Sequence, residues 1–265
     1  MIHRILLFVL ALGAAMPSFA AGREQPIRIL FIGNSYTYYN DMPVLLEDLA
    51  IDSGITRPIE TETIAYGGAT LKSHWDKGRA QAKIASGRWD YVVLQENSLL
   101  PIRDPARTRN YVHLFDEKIR AAGAKTILYL TWSRAFAPRT QAVLNGTYED
   151  MGREVRAGVA PVGQAWQIAR RLRRGIRLYE SDDSHPTLAG SYLAAYVLHI
   201  TLFGKLPDSE LVPEGLTASE HHVLLEAATK ASLATLSGWR MTMSGILPDA
   251  CPRVAAEWRS DVRCR

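Results

Sequence analysis

Apolar residues fall along this chain in two alternating rhythms. Short runs without helical periodicity, Arg28 to Ile32, Tyr91 to Gln95, Thr126 to Leu130 and Val159 to Val162, read as buried strands, and Ile59 to Ala65 as another. Longer segments between them carry helical spacing. Met42 to Asp52 sets Leu45, Leu46 and Leu49 on one face, Ser73 to Ser86 follows the second strand, and Arg109 to Ala122 is closed by Gly123. Asn145 to Arg156, Gly163 to Arg174 and Thr187 to Leu202 continue the series, the last entered through Pro186. Thr217-Ala218-Ser219-Glu220 has the spacing of a capping box and opens a final helix to about Ser237.

Strands alternating with helices predict an α/β protein whose mostly parallel sheet is covered on both faces. No repeat, low-complexity linker or second domain interrupts the pattern, so one domain is expected over 21–265, ending in a tail. Residues 203–216 and the tail after 245 carry the weakest signal.

The first residues have a different character. Met1 to Arg4 is basic, Ile5 to Ala15 is almost wholly apolar, and Ser18-Phe19-Ala20 has the small-x-small pattern of a cleavage site. That apolar run is shorter than the about 20 residues that span a bilayer, and no second long apolar segment follows. Residues 1–20 are therefore expected to be a signal peptide, cut near Ala20 or Ala21. The protein would then be exported, to the periplasm or beyond, with no stable membrane anchor. The two cysteines, Cys251 and Cys264, both lie in the tail, and in an exported protein such a pair is expected to form a disulfide closing a short loop. Charge names no partner: 31 basic residues stand against 27 acidic ones, a net +4. The densest basic run, Arg170 to Arg177, sits at a predicted helix end, where cations favour the dipole and solvent. No nucleic-acid partner is expected, and the oligomeric state is left open.

In open α/β sheets, ligands sit beyond the carboxyl ends of the strands. Ser35, Gly68 and Asn97 each fall just past the end of a predicted strand, and Asp182-Asp183-Ser184-His185-Pro186 precedes a late helix. A serine needs a neighbouring base to act as a nucleophile, and that base needs a third group to fix its tautomer. Each fragment alone is common, since a serine after a strand usually caps a helix and a loop Asp-His is usually a surface pair. Their conjunction points to a serine hydrolase. Asp183 competes with Asp182 for the orienting role, and the three-residue spacing to His185 favours Asp182.

Other chemistries fit less well. There is no His-Glu-x-x-His and no His/Cys spacing suited to zinc, and Gly67-Gly68 lacks the spacing of a phosphate-binding loop. No metal or cofactor is expected. Thr37 stands where the second glycine of a Gly-x-Ser-x-Gly elbow would be. The adjacent His221 and His222 read as surface residues, and His74 as a site-lining, capping or surface residue. Tyr36, Tyr38, Tyr39, Trp75, Trp132 and Phe136 fall near strand ends, where aromatics either stack on sugars, border an acyl pocket, or pack core and rim.

The chain resembles the SGNH hydrolases, or GDSL-type esterases, especially a bacterial branch with Gly-Asn-Ser in place of Gly-Asp-Ser. Gly33-Asn34-Ser35 matches the nucleophile block, Gly67-Gly68-Ala69-Thr70 the oxyanion-glycine block, and Asp182 and His185 the final Asp-x-x-His block. The Gly-x-Asn-Asp block is matched in part by Gln95-Glu96-Asn97-Ser98, with Gln95 in place of glycine and Ser98 in place of aspartate. The resemblance implies a three-layer α/β/α sandwich with a flavodoxin-like parallel sheet of about five strands. It implies Ser35 as nucleophile, His185 as base and Asp182 as its orienting acid. The N–H groups of Ser35 and Gly68, with the Asn97 amide, would form the oxyanion hole. The implied activity is hydrolysis of carboxylic esters on a small molecule or glycan, with carbohydrate O-acetyl groups as the expected substrate. A lipid esterase, a thioesterase, or a non-catalytic carbohydrate-binding protein keeping the fold are the alternatives.

Overall fold

The computed structural model describes residues 24–242. The expected signal segment, the tail after 245 and the pair Cys251 and Cys264 lie outside the described residues. Five strands, β1 (Ile27–Gly33), β2 (Ile59–Ala65), β3 (Tyr91–Leu94), β4 (Lys125–Tyr129) and β5 (Gly158–Ala160), pair in parallel. Their order is β2-β1-β3-β4-β5, the flavodoxin-like doubly wound arrangement expected from the resemblance.

β1 lies between two neighbours, and Ile29, Leu30, Phe31 and Ile32 are all fully buried. Alternate side chains of a strand point to opposite faces, so Ile29 and Phe31 enter one hydrophobic cluster, and Leu30 and Ile32 the other. Burying each such side chain favours folding by about 1.5–3 kcal/mol. This is why a continuous apolar run, and not an alternating one, marks the central strand.

The helices divide between the two faces. After β1 come the short α1 (Ser35–Tyr38) and then α2 (Met42–Asp52). Between β2 and β3 lie α3 (Leu71–Lys77) and α4 (Arg79–Ser86). Past β3 follow α5 (Leu100–Arg103) and α6 (Pro105–Ala121), and between β4 and β5 lies α7 (Gln141–Val155). The chain closes with α8 (Val162–Leu172), α9 (Leu188–Phe203) and α10 (Ala218–Thr242). α2, α8, α9 and α10 supply the cluster on the Ile29 and Phe31 face, and α3, α4, α6 and α7 that on the other. α9 is apolar nearly all round because the sheet covers one side and α2, α8 and α10 the rest.

Local chemistry moves several expected boundaries. The helix expected over Ser73 to Ser86 is two, broken at Gly78, whose φ of 70° lies in the left-handed region. α3 begins at Leu71 because Thr70 and Ser73 form a capping box, with Ser73 N donating to Thr70 Oγ1 (3.0 Å) and Thr70 N to Ser73 Oγ (2.9 Å). α6 begins at Pro105 and not at Arg109. Asp104 accepts the Arg107 N–H at 3.1 Å, and proline suits the first helical position. The box at Thr217 and Glu220 is formed as the spacing predicts, its two backbone N–H groups bound at 3.0 and 3.2 Å.

β1 has β2 on one side and β3 on the other, the chain passing from β2 back over β1 to β3, so a crevice opens beyond their carboxyl ends. Among the described residues no helix is long and apolar enough to cross a membrane.

Candidate active site

The crevice is built on a close approach of two strand ends. A Cβ on Gly33 would lie 2.4 Å from Thr37 Oγ1 and 2.6 Å from Gln95 Oε1, so only glycine lets β1 and β3 come this near. Gln95 Oε1 then accepts the Asn34 N–H (2.8 Å) and the Thr37 hydroxyl (3.0 Å). Asn34 Oδ1 caps α1 through Tyr36 N (3.1 Å), while Asn34 Nδ2 donates to the Ala69 carbonyl (3.0 Å). A carboxylate at position 34 would lack that donor, so Asn34 and Gln95, both departures from the usual blocks, bind three strand ends together.

Ser35 opens α1, and its Oγ lies 2.8 Å from His185 Nε2. The other ring nitrogen, Nδ1, is hydrogen-bonded to the Asp182 carboxylate. Asp182 Oδ1 also accepts the backbone N–H groups of Ser184 (3.0 Å) and His185 (2.9 Å). Partial desolvation pushes the Asp182 carboxyl up, but these bonds from His185 and Ser184 outweigh it and hold the group at about 2. Asp183 turns away. It sits in the left-handed region at φ 58°, and its carbonyl accepts the Ala135 N–H at 3.0 Å.

An aromatic column fixes the histidine loop. Trp132 is stacked between Tyr36 (4.5 Å) and Trp166 (3.9 Å), and its Nε1 donates to the Ser184 carbonyl at 2.9 Å. The Tyr36 hydroxyl meets Ser184 Oγ at 2.7 Å. The His185 ring stacks on Tyr39 at 4.4 Å. Tyr36 and Trp132 are thus buried supports, and Trp75 packs edge-on against Phe115 in the core. Tyr38 and Tyr39 border the cleft, whereas Phe136 is 74% exposed and outside its lining.

Gly68 and Asn97 reach the same cleft, of about 370 Å³, as Ser35 and His185. Gly68 (φ 68°) is the second central residue of a turn closed by Ala69 N donating to Tyr66 O at 3.1 Å. Asn97 Oδ1 accepts the Leu99 N–H at 3.1 Å, which leaves its Nδ2 donors available to the cleft.

Two supports of the site and one buried histidine outside it were not legible as such in the sequence. Glu96 is buried, and its Oε1 accepts both Leu71 N (3.1 Å) and Asn97 N (2.6 Å), coupling the glycine block to the Asn97 segment. Burial raises its carboxyl, opposed by those two N–H groups and Arg107, to about 7. His74 is buried beneath the nucleophile turn with its Nε2 2.7 Å from the Gly33 carbonyl, and burial lowers its pKa, so the neutral ring donates there. His221, expected at the surface, is fully buried between the Tyr196 hydroxyl (2.6 Å) and the Ser209 carbonyl (3.2 Å), while His222 is exposed. Polar neighbours distant in sequence explain all three; an apolar-pattern reading assigns such residues to the surface. Among the described residues no cluster of three or more acidic, histidine or cysteine side chains is placed to hold a metal.

The fold and this arrangement define a doubly wound α/β protein with a serine, histidine and aspartate gathered at the strand ends. No protein-family model and no curated protein matches the chain. Among solved structures, a protein of Slackia heliotrinireducens assigned to the SGNH hydrolases is 32% identical, with a TM-score of 0.58, the match covering 67% of this chain and 100% of that one. The chain belongs to the SGNH hydrolase family. A DUF4886 family protein of Bacteroides uniformis shares the fold at 20% identity and a TM-score of 0.60, covering 79% of this chain and 95% of that one. So does an acetyl xylan esterase, AlAXEase, at 13% identity and 0.56, covering 67% of this chain and 100% of that one.

Proposed function

We propose that this SGNH hydrolase is a serine esterase that cleaves carboxylic esters through Ser35, His185 and Asp182. The observation that carries the reading is the 2.8 Å approach of Ser35 Oγ to a His185 ring whose other nitrogen is bonded to Asp182. Ser35 Oγ attacks the ester carbonyl carbon while its proton passes to His185 Nε2. The carbonyl oxygen takes up negative charge, facing the N–H groups of Ser35 and Gly68 and the Asn97 amide. Collapse breaks the bond to the alcohol oxygen, which leaves with the proton from His185. Water then attacks the acyl-serine carbonyl as His185 Nε2 takes its proton; the bond to Ser35 Oγ breaks, His185 returns the proton to that oxygen, and the acid leaves. Asp182 keeps the proton of the ring on Nδ1, so that Nε2 is free to act as base.

A carbohydrate O-acetyl ester is the favoured substrate. The cleft lies near the small end of the about 300–1,000 Å³ usual for ligand sites, which suits a short acyl group, and Tyr38 and Tyr39 offer aromatic edges to a sugar. The likeness to an acetyl xylan esterase is in keeping with this. Lipid esters and thioesters are the enzymatic rivals, and non-catalytic carbohydrate binding the rival from another class. Export with removal of residues 1–20, to the periplasm or beyond and without a stable anchor, is part of the same proposal.

The test is hydrolysis of p-nitrophenyl esters of increasing acyl length, acyl thioesters and acetylated glycans by the mature protein, with Ser35→Ala as control. Turnover highest on acetyl esters and abolished in the variant supports the reading. Equal rates for both proteins refute the enzyme, and a maximum at long acyl chains refutes the acetyl preference.

A further inference from the structure

Arg134 stands out among the residues that line the cleft. Its guanidinium is half-buried beside Ser98 and shares the cavity with Ser35 and His185. The guanidinium makes a single hydrogen bond among the described residues, from Nη2 to Ser98 Oγ, at 3.3 Å. Nε is buried without a partner, and Arg134 takes part in no ion pair among the described residues. Among the described residues no carboxylate lines the cleft. A partly desolvated guanidinium without a counter-ion is costly, since its buried Nε has no acceptor and its permanent charge faces only one neutral hydroxyl among the described residues.

The backbone holding Arg134 is fixed. Ser133 N donates to Gln141 Oε1 (2.7 Å), the Ser133 carbonyl accepts the Tyr179 hydroxyl (2.7 Å), and Ala135 N is bonded to the Asp183 carbonyl in the histidine loop (3.0 Å). The guanidinium is therefore presented from a rigid segment that is tied to the catalytic loop. Such preorganisation lowers the entropy lost when a ligand group is bound.

Building on the esterase reading, we infer that Arg134 is a specificity residue for an anionic substrate, an ester that carries a carboxylate close to the scissile bond. The free edge of the guanidinium matches a carboxylate in a paired, charge-assisted geometry. In a carbohydrate this is the chemistry of an acylated acidic sugar. In the acyl part it is that of a dicarboxylic half-ester.

Two matched pairs of esters separate these cases. The p-nitrophenyl half-ester of adipic acid, against p-nitrophenyl heptanoate, places the charge in the acyl group. p-Acetoxybenzoate against p-acetoxybenzamide places it in the alcohol. In at least one pair the wild type should favour the anionic member in kcat/KM. That preference should fall by about 10- to 100-fold in Arg134→Met, as expected for a hydrogen bond between charged partners, and recover in part in Arg134→Lys. Ser98→Asp keeps the arginine but gives it an internal counter-ion, so it should abolish the preference too. Neutral members cleaved as well as anionic ones in both pairs, or a preference unchanged in Arg134→Met and Ser98→Asp, overturns the inference and leaves the esterase reading standing. No turnover of any of the four esters overturns both.

Discussion

Replacing Glu96 by glutamine should stabilise the protein above neutral pH and leave it nearly unchanged in mild acid. The Glu96 carboxyl is raised from 4.5 to about 7, with burial the main cause. The folded state therefore binds its proton more tightly than the unfolded chain. Between 4.5 and 7 the folded protein holds more protons, so stability falls as pH rises through that window and levels off above it. At about 1.36 kcal/mol for each pH unit of displacement, the full penalty approaches roughly 3 kcal/mol at pH 8. Glutamine keeps an oxygen for the Leu71 and Asn97 N–H groups and cannot ionise, so it escapes this cost. For a domain of this size that is a rise of about 6–12 °C in Tm at pH 8. Paired melts of wild type and Glu96→Gln between pH 4.5 and 8 give the difference directly. A difference that does not grow with pH, or that favours the wild type at pH 8, refutes the assignment of a charged, strained carboxylate to this position.

Other outcomes follow from the same geometry. Asp182→Asn should lower kcat by about 10² to 10⁴, because it misorients the base without removing it, whereas Asp183→Asn should be nearly silent in the same ester assay. Asn97→Ala should lower kcat by about 10² to 10³ with little change in KM if its amide meets the oxyanion only in the transition state. Gly33→Ala should destabilise by about 1–3 kcal/mol in urea titration, since its Cβ would collide with Thr37 and Gln95.

The strands were the most legible part of this molecule, and the reason is physical. A doubly covered parallel sheet needs unbroken apolar runs, and Ile29 to Ile32 and Val92 to Leu94 show them plainly. Helix ends were less legible because side-chain caps decide them. Asp104 and Thr70 extend their helices past the apolar periodicity, and Gly78 divides a stretch that composition alone leaves whole. At the site, Ser35, Gly68, Asn97, Asp182 and His185 could be named from strand-end positions and the family blocks; the fold brings Ser35, Gly68, Asn97 and His185 to one cleft, with Asp182 bonded to His185 behind it. The groups that hold them could not. Trp132 supports Ser184 across 52 residues of sequence, and Tyr36 across 148. Glu96 joins two loops only because both happen to end beside it. Such contacts carry no periodicity, so apolar patterning places aromatics anywhere in the core and a glutamate on the surface.

The central claim is that Ser35 is the activated nucleophile, and reaction with a fluorophosphonate tests it most directly. The serine oxygen displaces fluoride from phosphorus, so intact-mass analysis counts the adducts and peptide mapping locates them. One adduct is expected, on the peptide that carries Ser35, absent in Ser35→Ala and formed far more slowly in His185→Ala. No adduct on the wild type, an adduct on another residue, or labelling that survives Ser35→Ala would contradict the account.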